Sequence, residues 1–211
     1  MNNNIITAGM PLANATKALI MLHGRGANAQ DILGLAEHLN VKNFALLAPQ
    51  APGNTWYPHS FLAPVENNEP YLSHSLKTVA DTVNYAMKNG IAKENIYLLG
   101  FSQGACLISE YMARNADRYG GLVVFTGGLI GEQINRNNYK GNFSGTPVFI
   151  GTSDPDFHVP VERVYATTNI LKEMGAVVTE KVYANMGHTI NQDELAHANS
   201  LVLATAAGKE A

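Results

Sequence analysis

One cysteine, Cys106, is all that 211 residues supply, so no intramolecular disulfide can form and a reducing compartment is the expected setting. Charge is scarce as well. Charged residues make up 15% of the chain, its lysines and arginines fall singly without a run, and the formal net charge is −3. That leaves no basic face for nucleic acid or anionic lipid. No apolar stretch approaches the length that spans a bilayer, so no stable membrane insertion is expected. The opening Met1-Asn2-Asn3-Asn4-Ile5-Ile6-Thr7 has neither the basic start nor the apolar core of a secretory leader. Together these absences predict a cytoplasmic protein. No pair of histidines stands at metal spacing, and Asp154 with Asp156 alone makes a poor ligand set. No glycine loop carries the lysine of a phosphate-binding P-loop. Neither metal nor cofactor is expected.

Hydrophobic residues do reach 46%, which makes the chain globular, and its length suits one domain over 1–211. Short β runs alternate with longer helical stretches from end to end. Apolar strands are read at 18–22, 44–48, 95–99, 121–125, 147–150 and 176–183. Between them, Asn28 caps a helix running through Leu39, and Leu72 to Met87 recur at helical spacing until Gly90. Further helices follow at 105–113, from Pro160 to Gly175, and around Leu195 to Val202. Strands apolar on both faces, each followed by a helix, predict a mostly parallel central sheet covered on both sides. The segment from Pro49 to Pro70 carries five prolines and no periodicity, and reads as a long functional loop.

The most telling stretch is Gly100-Phe101-Ser102-Gln103-Gly104, set between a β run and a helical run. A G-x-S-x-G turn in that place holds serine on a strained corner above the C-terminal edge of the sheet, as a nucleophile requires. Ligands of such sheets sit beyond the strand exits. The first exit, His23-Gly24-Arg25-Gly26, lets the backbone N–H of Arg25 join that of Gln103 as a two-donor oxyanion hole. His23 either faces the substrate here or braces the loop. The exit after Ile150 offers two acids, Asp154 and Asp156, either of which could orient an imidazole. The last exit carries Gly187-His188.

Seven histidines compete for the base. His38 and His197 fall inside helices, His59 and His74 flank the long loop, and His158 is too near Asp156 in sequence to oppose it. His188 is the reading that remains. Cys106, one turn past the serine, reads as a small buried hydrophobe. In the long loop, Trp56, Tyr57 and Phe61 are, with His23, the candidate substrate-binding residues, and Trp56 or Phe61 is expected to wall the site.

These motifs, Leu22-His23-Gly24-Arg25-Gly26, the serine elbow, Asp156-Phe157-His158-Val159-Pro160 and Gly187-His188, resemble the phospholipase/carboxylesterase family of α/β-hydrolases. The resemblance runs from about Lys17 to the final helix. It implies an α/β-hydrolase fold without a large cap domain, acting on carboxylic esters or thioesters without cofactor. The family pattern D-x-x-V-P selects Asp156 as the acid. Arg25 stands where the acyl-protein thioesterases usually carry an apolar residue, and the loop 54–62 resembles the bacterial esterase branch. The expectation is a serine hydrolase of small ester substrates with short to medium chains, using Ser102, His188 and Asp156. A lysophospholipase or acyl-protein thioesterase is the alternative, and a non-catalytic binding module the reading from another class. Oligomeric state is left open, a homodimer included.

Overall fold

The computed structural model describes residues 5–204, so the first four residues of the stretch read above for a leader lie outside it. In chain order the elements are β1 (Ile5–Gly9), β2 (Lys17–Leu22), α1 (Ala29–Leu33), β3 (Phe44–Pro49), α2 (Val65–Asn68) and α3 (Tyr71–Lys88). There follow β4 (Ile96–Phe101), α4 (Gln103–Arg114), β5 (Gly121–Phe125), β6 (Pro147–Asp154), α5 (Val161–Glu173), β7 (Val177–Ala184) and α6 (Gln192–His197). The strands form one seven-stranded sheet in the order β1-β3-β2-β4-β5-β6-β7. All neighbours run parallel except β1, which lies antiparallel on β3.

Alternation along the inner strands explains the two cores. In β2, Leu19 and Met21 face one side with Ile32 of α1 and Leu195 of α6. Ala18, Ile20 and Leu22 face the other, where Val79 of α3, Leu107 of α4 and Leu171 of α5 pack. Both faces being dry, the strands read as unbroken apolar runs. Among the described residues no large cap stands over the sheet edge, and no helix is long and apolar enough to cross a membrane.

Several elements depart from the sequence expectation. β1 went unread because its five residues bury little surface and pair only at the sheet's edge. The helix expected from Asn28 to Leu39 is α helix only to Leu33. It passes at Gly34, a poor helix former, into a 3₁₀ turn over Gly34–His38. The long loop holds a 3₁₀ turn over Pro52–Asn54 and the short helix α2, and the final helix loosens into a π turn over Ala198–Val202. Most consequential is β6. Expected to end at Ile150, it runs on to Asp154, because β7 keeps pairing with it as far as Asp154 opposite Ala184.

Glu194 seats α6 against β6. Its backbone N–H donates to Asn191 Oδ1, and its Oε2 accepts from the Asn191 N–H, closing a capping box. Its Oε1 faces Gly151, where a Cβ would stand only 2.2 Å away, and has no partner among the described residues. Burial pushes this carboxyl from 4.5 up to about 7, outweighing the bond from Asn191, with the Asp193 charge adding to the rise. The folded state therefore holds this proton more tightly than the unfolded chain. Its contribution is complete below pH 4.5 and declines by about 3 kcal/mol as pH rises to about 7. Glu194→Gln should accordingly gain stability over the wild type as pH rises from 4.5 to 7, measured by thermal melts across that range. A difference in Tm that stays constant with pH would count against a titrating Glu194.

Candidate active site

Ser102 occupies the corner between β4 and α4 with φ 54° and ψ −119°, a backbone region that L-residues avoid. The strain is held from both sides. The Ser102 N–H donates to the Phe125 carbonyl at the end of β5, and its carbonyl accepts from Cys106 N–H within α4. The flanking glycines are required by close contact. A Cβ on Gly100 would meet the Gly104 backbone at 2.6 Å, and one on Gly104 would meet the Leu22 carbonyl oxygen at 2.3 Å. The elbow and the exit of β2 therefore touch directly.

That exit is fixed by His23. The buried ring donates from Nδ1 to the Gly24 carbonyl at 2.8 Å and accepts at Nε2 from the Ala51 N–H at 3.2 Å, which assigns its neutral tautomer. Burial holds its pKa below 6.5 against the raising effect of the Gly24 bond. The Gly24 carbonyl and the Arg25 N–H belong to one planar trans peptide and point opposite ways, so anchoring the carbonyl sets the direction of the N–H. The second donor, the Gln103 N–H, opens α4 and has no acceptor within the helix. The Gln103 side chain accepts from the Trp56 N–H at 2.9 Å and donates to the Tyr57 carbonyl at 2.8 Å, clamping the long loop to the elbow.

His23 and Trp56 are thus corrected as substrate contacts. Both are buried, 1% and 2% exposed, and neither is among the residues that line the cavity; Trp56 Nε1 donates to the His23 carbonyl and the two rings pack together. Tyr57 and Phe61 do line a cavity of about 380 Å³ that opens on Ser102, Gln103 and His188. Cys106 lies in its floor, where burial pushes the thiol up to about 12, so it stays protonated and unreactive.

His188 Nε2 lies 2.8 Å from Ser102 Oγ, and Nδ1 lies 2.8 Å from Asp156 Oδ2. A carboxylate only accepts, so Nδ1 carries the proton and Nε2 presents its lone pair to the hydroxyl. The buried Asp156 side chain also accepts at Oδ1 from the N–H groups of His158 at 2.7 Å and Val159 at 2.9 Å. Burial alone would raise this carboxyl, but the bonds from His188, His158 and Val159 outweigh it and hold the group below its usual 3.8. Asp154, by contrast, is exposed and still locked in the β6–β7 ladder. Of the two acids only Asp156 reaches the imidazole. The arrangement can move a proton from a hydroxyl to an imidazole whose resulting charge a carboxylate balances.

Sequence reasoning overlooked Ser153. Its buried hydroxyl accepts from the Gly187 N–H at 2.9 Å and donates to the Pro155 carbonyl at 3.2 Å, tying the histidine loop to the acid turn. Only its place, between an apolar run and the two acids, hinted at such a role.

A family model described as phospholipase/carboxylesterase matches residues 3–205. The chain is 50% identical to a phospholipase/carboxylesterase from Dyadobacter fermentans whose crystal structure superposes with a TM-score of 0.94, over 95% of this chain and 96% of that one. It is 25% identical to the "probable carboxylesterase SOBER1-like" of Arabidopsis thaliana, across 95% of this chain and 84% of the relative. Acyl-protein thioesterase 1 of Saccharomyces cerevisiae is 27% identical, across 86% of this chain and 89% of the relative.

The two acids separate cleanly by mutation. Asp156→Asn should cost up to about 10⁴-fold in kcat, because an amide no longer enforces the productive tautomer of His188. Asp154→Asn should leave kcat nearly unchanged, with both variants checked for folding by circular dichroism. If Asp154→Asn proves the more damaging, Asp156 is not the orienting acid.

Proposed function

The chain belongs to the phospholipase/carboxylesterase family and is a carboxylic ester hydrolase, and from that premise we propose that it cleaves small esters of short to medium chain through Ser102, His188 and Asp156. Ser102 Oγ attacks the ester carbonyl carbon while His188 Nε2 takes its proton. The N–H groups of Arg25 and Gln103 receive the developing oxyanion, each worth about 3–4 kcal/mol of barrier. Asp156 balances the imidazolium, which then returns the proton to the departing alcohol. Water repeats the sequence on the acyl-enzyme, with His188 as base, and frees the acid. The single observation that carries this reading is the unbroken contact from hydroxyl to imidazole to buried carboxylate, each step 2.8 Å.

Chain length follows from the walls. The cavity of about 380 Å³ is near the small end of the usual range for ligand sites, about 300–1,000 Å³, and Tyr57, Phe61 and Val159 close its sides. An acyl group seated there gains apolar contact for a few carbons and then meets side chains fixed by the Gln103 clamp. The lone, buried thiol of Cys106 suits a cytoplasmic setting.

A fluorophosphonate should label Ser102 and no other residue, and Ser102→Ala should lose several orders of magnitude in kcat with Tm retained. Labelling elsewhere, or an active alanine variant, would overturn the assignment. Across p-nitrophenyl esters of graded length, kcat/KM should peak at or below about eight acyl carbons. Phe61→Ala should move that peak to longer chains by up to about 0.8 kcal/mol per methylene newly buried. A palmitoyl preference in the wild type would instead favour the acyl-protein thioesterase reading.

A further inference from the structure

The cavity beside Ser102 holds a charge that ester cleavage itself leaves unused. Arg25, which lines the cavity, is assigned a backbone N–H in the chemistry, and its guanidinium is a separate group anchored on two other lining residues. It donates from Nη1 to the Pro58 carbonyl at 2.9 Å and from Nη2 to the His59 carbonyl at 2.7 Å. No carboxylate lies within ion-pair distance of it among the described residues, and no aspartate or glutamate lines the cavity. Besides Arg25, the polar lining includes the imidazoles of His59 and His158. The other nearby guanidinium, Arg163, sits behind the Phe61 ring with its donors spent on the carbonyls of Leu129, Gly131 and Glu132. It does not line the cavity.

A guanidinium has five N–H donors, and two are occupied. Those two bonds hold the planar group in place before any ligand arrives, which lowers the ordering cost of binding. A guanidinium keeps its charge across the whole working pH range. Held at the exposed side of the cavity that Ser102 also lines, where the acid of the site, Asp156, stands behind the His188 ring, it raises the local concentration of anions and offers paired donors to planar oxygens. Pro58 and His59, its anchors, belong to the same wall as Tyr57 and Phe61, against which the acyl group is placed.

We propose that the preferred substrates are esters whose acyl group ends in an anion, a carboxylate or a phosphate-like group, which the Arg25 side chain binds at the Pro58–His59 wall. This rests on the reading of Ser102 as the nucleophile. Neutral short esters are then surrogates that reach the serine without filling the charged end of the cavity.

Three p-nitrophenyl esters with one leaving group test this. They are the neutral 4-methylpentanoate, the hemisuccinate that replaces its two methyls by carboxylate oxygens, and the 3-phosphonopropionate. The ratio of kcat/KM, anionic over neutral, corrected for spontaneous hydrolysis, is the readout, so any effect of substitution on the backbone donor cancels. In Arg25→Gln the ratio should drop roughly tenfold for whichever anion the site accepts, as for loss of a charge-assisted hydrogen bond. Arg25→Lys should recover part of it. Raising salt from about 0.05 to about 0.5 M should erode the ratio in the wild type and not in Arg25→Gln. A larger effect on the hemisuccinate identifies a carboxylate site, and on the phosphonate a phosphate site. If Arg25→Gln lowers turnover of all three esters equally, Arg25 merely braces the loop and the proposal is overturned. If the wild type turns over none of them, the serine hydrolase reading fails first.

Discussion

A Cβ at position 104 would stand 2.3 Å from the Leu22 carbonyl oxygen and 2.6 Å from that of His23. This contact, open only to glycine, presses the first turn of α4 against the exit of β2. Arg25 and Gln103, from segments far apart in sequence, come to line one cavity because of it. The strained φ of Ser102 has the same origin. Helix and strand approach so closely that the chain can pass between them only through a corner that an ordinary turn does not provide. Hydrogen bonds to β5 and within α4 then hold the corner, so its strain is carried by the sheet and not by the loop alone.

The cavity walls depend on the same contact at one remove. Gln103 can clamp the backbone of Trp56 and Tyr57 only because the elbow faces the long loop, and Ser75 of α3 secures the loop from behind by donating to the Trp56 carbonyl. Trp56 fills the space between loop and β2 exit, where its indole N–H finds the His23 carbonyl. An aromatic residue with a polar handle is well suited to a dry position of that kind. Its neighbours Tyr57 and Phe61 are left to shape the cavity.

On the far side, the turns that follow β6 and β7 carry Asp156 and His188. Their ladder continues past the point where β5 ends, lifting the acid turn toward the serine. Ser153 and Asp156 then share the work. One hydroxyl joins the two loops, while one carboxylate satisfies two backbone amides and the imidazole together. A buried carboxylate with three donors keeps its charge at little cost. Glu194, with one oxygen unpartnered against Gly151 of the same strand pair, has no such support, and burial raises its carboxyl to about 7.

Much of this was legible in the chain itself. Alternating apolar runs and helical periods specified a covered parallel sheet, because burial on two faces leaves no room for polar residues in the strands. The elbow glycines, the Ser–Asp–His order and the histidine after Gly187 were readable for a local reason, since each lies at a strand exit marked by its own turn residues. What lay beyond reach depended on contacts between distant segments. The strand exit alone left Asp154 and Asp156 both open; the D-x-x-V-P resemblance selected Asp156, and the physical reason, that β7 pairs with β6 as far as Asp154 and so removes that residue from the turn, lay in the tertiary structure. The burial of His23 and Trp56 followed from a clamp supplied by Gln103, and the role of Ser153 from a loop more than thirty residues away. Residue type and spacing determined which chemistry this protein carries. Only the tertiary structure decided which residues line the cavity beside Ser102, because that is set by long-range packing and hydrogen bonding that no local pattern encodes.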